Sequence, residues 1–305
     1  MQRRNEWVFA KGELAKDGWQ TVVDGSTPGW AHTGLRIAEL ATDDQHALAA
    51  AGVERILVPL AGSFSVTSIV DGVDETVELA GRASVFDGPS DVLYLSSAAS
   101  ATITGRGRIA VAEAPTDKVF PTVYIARADV PVELRGAGRS SRQVHNFGTP
   151  GALAADKLIV CEVITPAENW SSYPPHKHDE NRPGRESRLE EIYYFESAVS
   201  KGLTAPDAAD PFGYLRTYSS EAGDIDVLAE VRTGDVGLVP FGWHGPCVAA
   251  PGYDLYYLNV MAGPDPERAW LISDDPAHGW IRQTWEGQDF DPRLPYGTES
   301  EGIPA

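Results

Sequence analysis

"HKHDENRPGRESRLEEIYYFES", residues 176–197, is the stretch on which the reading of this chain turns. It opens with two histidines one residue apart and ends in an apolar, aromatic run preceded by two acids. Side chains of an extended segment repeat their direction every second residue, so His176 and His178 leave on one face and Lys177 on the other. The same alternation in "EEIYYF" groups Glu191, Tyr193 and Phe195 on one face, with Ile192 and Tyr194 opposite. A His-x-His pair alone is weak evidence for a metal, since rim and turn histidines produce the same pattern. Downstream, "GDVGLVPFGWHGP", residues 234–246, adds His244 after a Pro-x-Gly turn. Three imidazoles and one carboxylate form a donor set for a borderline divalent ion. Glu190 and Glu191 compete for the carboxylate role.

Outward from this stretch the chain reads as strands. Thirty glycines and 22 prolines break it into short segments rich in Val, Ile, Thr and Tyr, the punctuation of an all-β sandwich or barrel. In the first half these are "ERILVPLAG", "SFSVTSIV", "ETVELAG", "DVLYLSS", "SATITGRG" and "RIAVAEA". In the second they are "KLIVCEVIT", "EEIYYFES", "GYLRTYSS", "DIDVLAEVR", "DVGLVP" and "YDLYYLNVMAG". One short helix is expected in "TDDQHALAAAG", residues 42–52, capped by Thr42 or Asp43. The Gly- and Ser-rich "VELRGAGRSSRQVHNFGTPG", residues 132–151, is poor in large apolar residues and places a domain boundary near 130–140. The units expected are residues 1–135 and 136–305. The end, "YGTESEGIPA", reads as a loose tail.

Composition narrows the function classes. At 305 residues the chain suits two soluble domains. Its formal charge of −19 repels phosphate backbones and anionic membranes, so neither nucleic acid nor a membrane is an expected partner. The first residues lack an apolar signal-peptide core and no later segment has the apolar length of a membrane span, which points to the cytoplasm. Cys161 and Cys247 form no Cys-x-x-Cys motif and fit free thiols, Cys161 as a core residue.

The His176-x-His178 pair, Glu191 and "GDVGLVPFGWH" resemble the two cupin motifs, in which a small β-barrel holds one metal through His, His, Glu and His. The second motif matches at Gly234, Pro240, Gly242 and His244, with one residue fewer than usual before the histidine. The insert "DENRPGRESRLE" between His178 and Glu191 is longer than usual. The ligands implied are His176, His178, Glu191 and His244, Glu191 being the acid directly before the apolar strand. More closely, "SSYPPHKHD", "EEIYYF", "VPFGWHGPCVAAPGYDLYYLNVMAGP" and "HGWIRQTWEGQDFDPRLP" resemble the 5-deoxy-glucuronate isomerase family of inositol catabolism. "GWAHTGL" and "ERILVPLAGSFSV" in the first half resemble it less specifically.

That resemblance implies two tandem cupin barrels and an intramolecular oxidoreductase, an aldose–ketose isomerase acting on an anionic sugar acid. One divalent metal per chain is implied, zinc favoured, with manganese, iron and nickel compatible. For proton transfer Tyr193 is the better pocket candidate, and Glu190 or a metal-bound hydroxide are alternatives. The substrate carboxylate needs a cation, and Arg182, Arg185 and Arg188 lie between the ligands, with Arg188 nearest Glu191. His32 and His46 form no such motif, so the first half is expected to be a degenerate cupin without a metal, serving packing or assembly as a homo-oligomer. His145 and His278 read as structural, the His278 segment being a candidate lid. An iron-dependent dioxygenase could use the same ligands, and a non-catalytic sugar-acid-binding cupin the same barrel.

Overall fold

The computed structural model describes residues 5–297. Among them the strands form four sheets, and no helix is long and apolar enough to cross a membrane. The first sheet places Thr21–Val23, Gly34–Leu40, Ser100–Pro115, Val53–Val70, Val92–Leu95 and Val123–Ile125 side by side. Val73–Arg82 and Gln45–Leu48 pair onto its two long strands. The second sheet runs Val132–Arg135, Arg142–Gly148, Ile159–Thr165, Tyr253–Ala262, Glu190–Val199, Val236–Val239 and finally Val8–Phe9. A third gathers Gly223–Val231, Gly213–Ser220, Trp243–Ala249, His176–Lys177 and Ser273–Asp274. The insert between His178 and Glu191 is a small hairpin, Asp179–Arg182 against Glu186–Arg188.

Alternation along one strand explains how the layers stack. In Glu190–Val199, Tyr193 and Phe195 join Leu215, Val227 and Cys247 in the core of the second-half barrel. Ile192 and Tyr194 join Ile56, Val58 and Ala112 in a core between the halves. That sheet is therefore buried on both faces. The first half has its own interior of Leu57, Phe64, Leu79, Leu93, Ile103 and Val111.

Polar clamps cross the seam in both directions. Glu54, from the first half, accepts from the backbone N–H groups of Asp156, Lys157 and Leu158 at 2.9, 2.6 and 2.7 Å. Glu190, from the second, accepts from those of His32 and Thr33 at 2.5 and 2.6 Å. Between them Arg82 forks onto Glu162 at 2.8 and 2.6 Å, with His145 Nδ1 2.6 Å from the same carboxylate. Burial raises the Glu162 carboxyl, but Arg82 and His145 more than offset this and hold it well below its ordinary value.

Four sequence expectations are corrected. Residues 45–48 are a strand, not a helix: His46 stacks on Trp19 at 4.3 Å and Leu48 is buried while Gln45 and Ala47 face out. An available sheet edge outweighs the helix propensity of alanines; the turn before it is closed by Asp44, whose carboxylate accepts from Ala41 N–H. The separate segments "ERILVPLAG" and "SFSVTSIV" are one bent strand, Val53–Val70, and "SATITGRG" and "RIAVAEA" are another, Ser100–Pro115. Gly62 permits the bend: at φ 96° its backbone lies where a Cβ would come within 2.0 Å of the Arg106 carbonyl oxygen. Residues 132–151 are not merely a linker but contain two strands of the second sheet. Tyr296 is not loose: it is buried, its hydroxyl donating to Asp254 at 2.8 Å, while residues 298–305 lie outside the described residues.

Candidate active site

Sheet register brings the two distant histidine segments together. His176 is the antiparallel partner of His244, and Glu191 sits in the facing sheet between Val239 and Met261. The Pro-x-Gly turn needs its glycine: Gly242 has φ 99°, and a Cβ there would lie 2.7 Å from the Tyr218 carbonyl oxygen. The imidazole centroids are 4.5 Å apart for His176 and His244, 4.6 Å for His178 and His244, and 6.1 Å for His176 and His178. One ligand nitrogen from each lies within 4.8 Å of the others.

Hydrogen bonds orient the rings. His178 Nδ1 lies 3.1 Å from the Leu189 carbonyl oxygen and His244 Nδ1 lies 3.0 Å from that of Gly242. A carbonyl only accepts, so each Nδ1 carries the hydrogen and each Nε2 keeps a lone pair. Both Nε2 atoms lie 3.2 Å from one Glu191 oxygen, and the buried His244 Nε2 makes no hydrogen bond. Lone pairs aimed at a carboxylate repel unless a proton or cation stands between them. Burial lowers His176 well below its ordinary value, with the neighbouring imidazoles adding to the effect. Glu191, which burial alone would raise, is brought down to about 2 by positive charge on His178 and His244, the role a cation standing between them would take. A convergent, buried set of nitrogens and one carboxylate fits a divalent cation.

Lys177 points the other way, its Nζ 2.6 Å from Asp179, 2.9 Å from Glu180 and 2.9 Å from Glu186. That acidic trio already holds its cation in the lysine.

His176, Glu191 and Tyr193 line a cavity of about 390 Å³, together with Ser172, Tyr257, Asn259 and Trp270. Ser172 Oγ links two phenols, 3.5 Å from Tyr193 and 3.1 Å from Tyr257. Burial pushes the Tyr193 hydroxyl well above its ordinary value and Glu191 adds to the shift. Three arginines, Arg135, Arg142 and Arg282, also line the cavity.

Two predicted residues are elsewhere. Glu190 faces away from Glu191 and is committed to the seam clamp with Thr33, whose Oγ1 adds a contact at 3.1 Å; its oxygens cannot serve the cavity. Arg188 is exposed on the hairpin, 3.7 Å from Asp265, and Arg182 and Arg185 are exposed with it. The cations that reach the cavity come instead from the segment expected at the domain boundary and from the candidate lid. Alternation was the available signal: Arg142 and Val144 face the cavity while Gln143 and His145 face the seam, and in "YDLYYLNVM" Tyr257 and Asn259 face in. His278 is exposed, though its segment sends Asp274 and Arg282 to the cavity.

Comparison with known proteins places the chain. The model of the KduI/IolB family matches residues 8–281. A curated relative from Shouchella clausii (strain KSM-K16), named 5-deoxy-glucuronate isomerase, is 41% identical over 231 residues, 75% of this chain and 79% of the relative. One of the same name from Geobacillus kaustophilus (strain HTA426) is 36% identical, covering 86% and 90%. The crystal structure of an IolB-like protein from Salmonella typhimurium LT2 superposes with a TM-score of 0.80 at 33% identity, over 90% of this chain and 99% of that one. Lactobacillus farciminis oxalate decarboxylase, at 10% identity and a TM-score of 0.62 over 90% of each chain, shares the fold. The chain belongs to the KduI/IolB family.

Proposed function

We propose that this protein is a 5-deoxy-glucuronate isomerase, converting 5-deoxy-D-glucuronate to 5-dehydro-2-deoxy-D-gluconate, with catalysis in the second barrel, to which Val132–Arg135 also belongs, and a packing role for the first. The convergence of His176, His178, Glu191 and His244, with His176 and Glu191 lining a cavity that three arginines also line, supports this reading most directly. The reaction moves a carbonyl by one carbon: a hydrogen leaves C2 and one is gained at C1, while a hydroxyl hydrogen passes between the two oxygens. Electrons and atoms balance without an oxidant.

A divalent ion held by His176, His178, Glu191 and His244, with zinc our first assignment and manganese, iron or nickel compatible, would stabilise negative charge on the neighbouring sugar oxygens. Tyr193 stays protonated, because burial disfavours its phenolate. It therefore serves as a hydrogen-bond donor to a sugar oxygen as charge builds there, with Ser172 and Tyr257 continuing the chain of hydroxyls.

The test is to incubate metal-loaded protein with 5-deoxy-glucuronate in deuterated water, without oxygen, and follow the aldehyde by NMR. The expected result is anaerobic loss of the aldehyde with solvent deuterium at the former aldehyde carbon. Turnover that requires oxygen, or tight binding with no turnover, would reject the isomerase.

A further inference from the structure

The cavity contains three guanidinium groups, and they are not equivalent. Arg135 is forked onto Glu133 at 3.0 and 2.7 Å. Arg282 is forked onto Asp274, its Nη2 2.7 Å from Oδ1. Arg142 is only 5% exposed and has no carboxylate partner among the described residues. Its Nη1 donates to the Ser140 carbonyl at 3.0 Å and the Tyr173 carbonyl at 3.4 Å, while Nε and Nη2 have no protein acceptor among them. Burial, with Arg135 and Arg282 adding to it, pushes this guanidinium down to about 10, so it remains charged at neutral pH. An unpaired buried charge is costly, and the cost is relieved when an anion arrives.

A second observation points to the same kind of ligand. Asn259, 3% exposed, has an unpartnered Nδ2, and the indole Nε1 of Trp270 is also buried without an acceptor. Both residues line the cavity with Arg142. The unpartnered nitrogens of these three side chains are all donors, so the complementary ligand is rich in acceptor oxygens. Its negative end belongs at the cation that has no internal partner. The Tyr173 carbonyl that holds Arg142 lies three residues before His176, which fixes the guanidinium relative to the proposed metal ligands.

We propose that Arg142 receives the carboxylate of the sugar acid through Nε and Nη2, making it the residue that selects an acid over a neutral sugar. This rests on the isomerase reading above. An arginine fork matches two carboxylate oxygens geometrically, which a lysine does not. Arg188, the nearest arginine in sequence to Glu191, has no part in it.

The experiment compares wild type, Arg142→Lys and Arg142→Met on 5-deoxy-glucuronate and on its analogue carrying CH2OH in place of the carboxylate. Loss of the fork should lower kcat/KM for the acid by about 100-fold in Arg142→Met, with Arg142→Lys intermediate. Turnover of the neutral analogue should stay within about threefold of wild type, because its contacts do not include an ion pair. The wild-type preference for the acid should therefore collapse. A variant that keeps the preference, or loses both substrates equally, overturns the assignment while leaving the isomerase intact. Wild type that turns over neither substrate removes the reading itself and this inference with it.

Discussion

The two halves repeat one sheet succession yet treat the same interior position in opposite ways. Gly34–Leu40, Ser100–Pro115, Val53–Val70 and Val92–Leu95 in the first half follow the order of Ile159–Thr165, Tyr253–Ala262, Glu190–Val199 and Val236–Val239 in the second. In that correspondence Glu54 and Glu190 take the same place, each reaching across the seam for backbone N–H groups of the other half. The next residue differs. Arg55 stands where Glu191 stands, and its Nε is 2.8 Å from Glu113. The first half thus neutralises its buried charge internally and fills the rest with Leu57, Phe64 and Leu93. The second places an acid among imidazole lone pairs and leaves a cavity. A barrel interior can be packed shut or kept for a ligand, and in the latter case its polar groups need a partner from outside.

The largest difference should appear in metal binding. His244→Ala should reduce bound metal from about one ion per chain to nearly none and lower isomerase kcat/KM by on the order of 10³-fold. Arg55→Met should leave the metal content unchanged. Elemental analysis of the purified proteins checks both, and two ions per wild-type chain would mean that the halves are not so divided.

A smaller effect concerns stability. Glu54→Ala and Glu190→Ala each strand several backbone donors at the seam and should each cost about 2–4 kcal/mol in denaturant unfolding. The two values should agree within about 1 kcal/mol if the clamps are reciprocal, and metal content should survive in both. Unequal costs would show that one half carries the seam.

The smallest effect is expected on the hairpin. Arg188→Ala should shift stability by less than about 0.5 kcal/mol and leave turnover within about twofold, since an exposed pair contributes little. A large loss of activity would return this arginine to the substrate.

These residues also mark the limits of the sequence. The motif favours Glu191 over Glu190 as the acid directly before the apolar strand, and the strand's alternation separates them: one face carries Glu191 with Tyr193, the other Glu190 with Ile192. What occupies the far side of that strand is not readable, because the seam joins segments far apart in the chain, as in the Glu190 to Thr33 bond, which spans 157 residues. The arginines that reach the cavity are not legible in the sequence for a related reason. "VELRGAGRSSRQVH" is too glycine- and serine-rich to suggest strands until it is seen at the edge of a sheet. The alanines after Asp44 likewise favoured a helix until the Ser100–Pro115 strand offered hydrogen bonds.

By itself the sequence determined the strand-rich architecture, the histidine pair, the Pro-x-Gly-x-His turn and the two faces of each strand, because alternation and turn chemistry are local properties. The tertiary structure alone decided which segments cover those faces: Arg142 rather than Arg188 at the cavity, Glu190 at the seam, and Val8–Phe9 on the second sheet. Local preference fixes which way a side chain points, whereas its partner depends on long-range packing among segments that the chain order does not bring together.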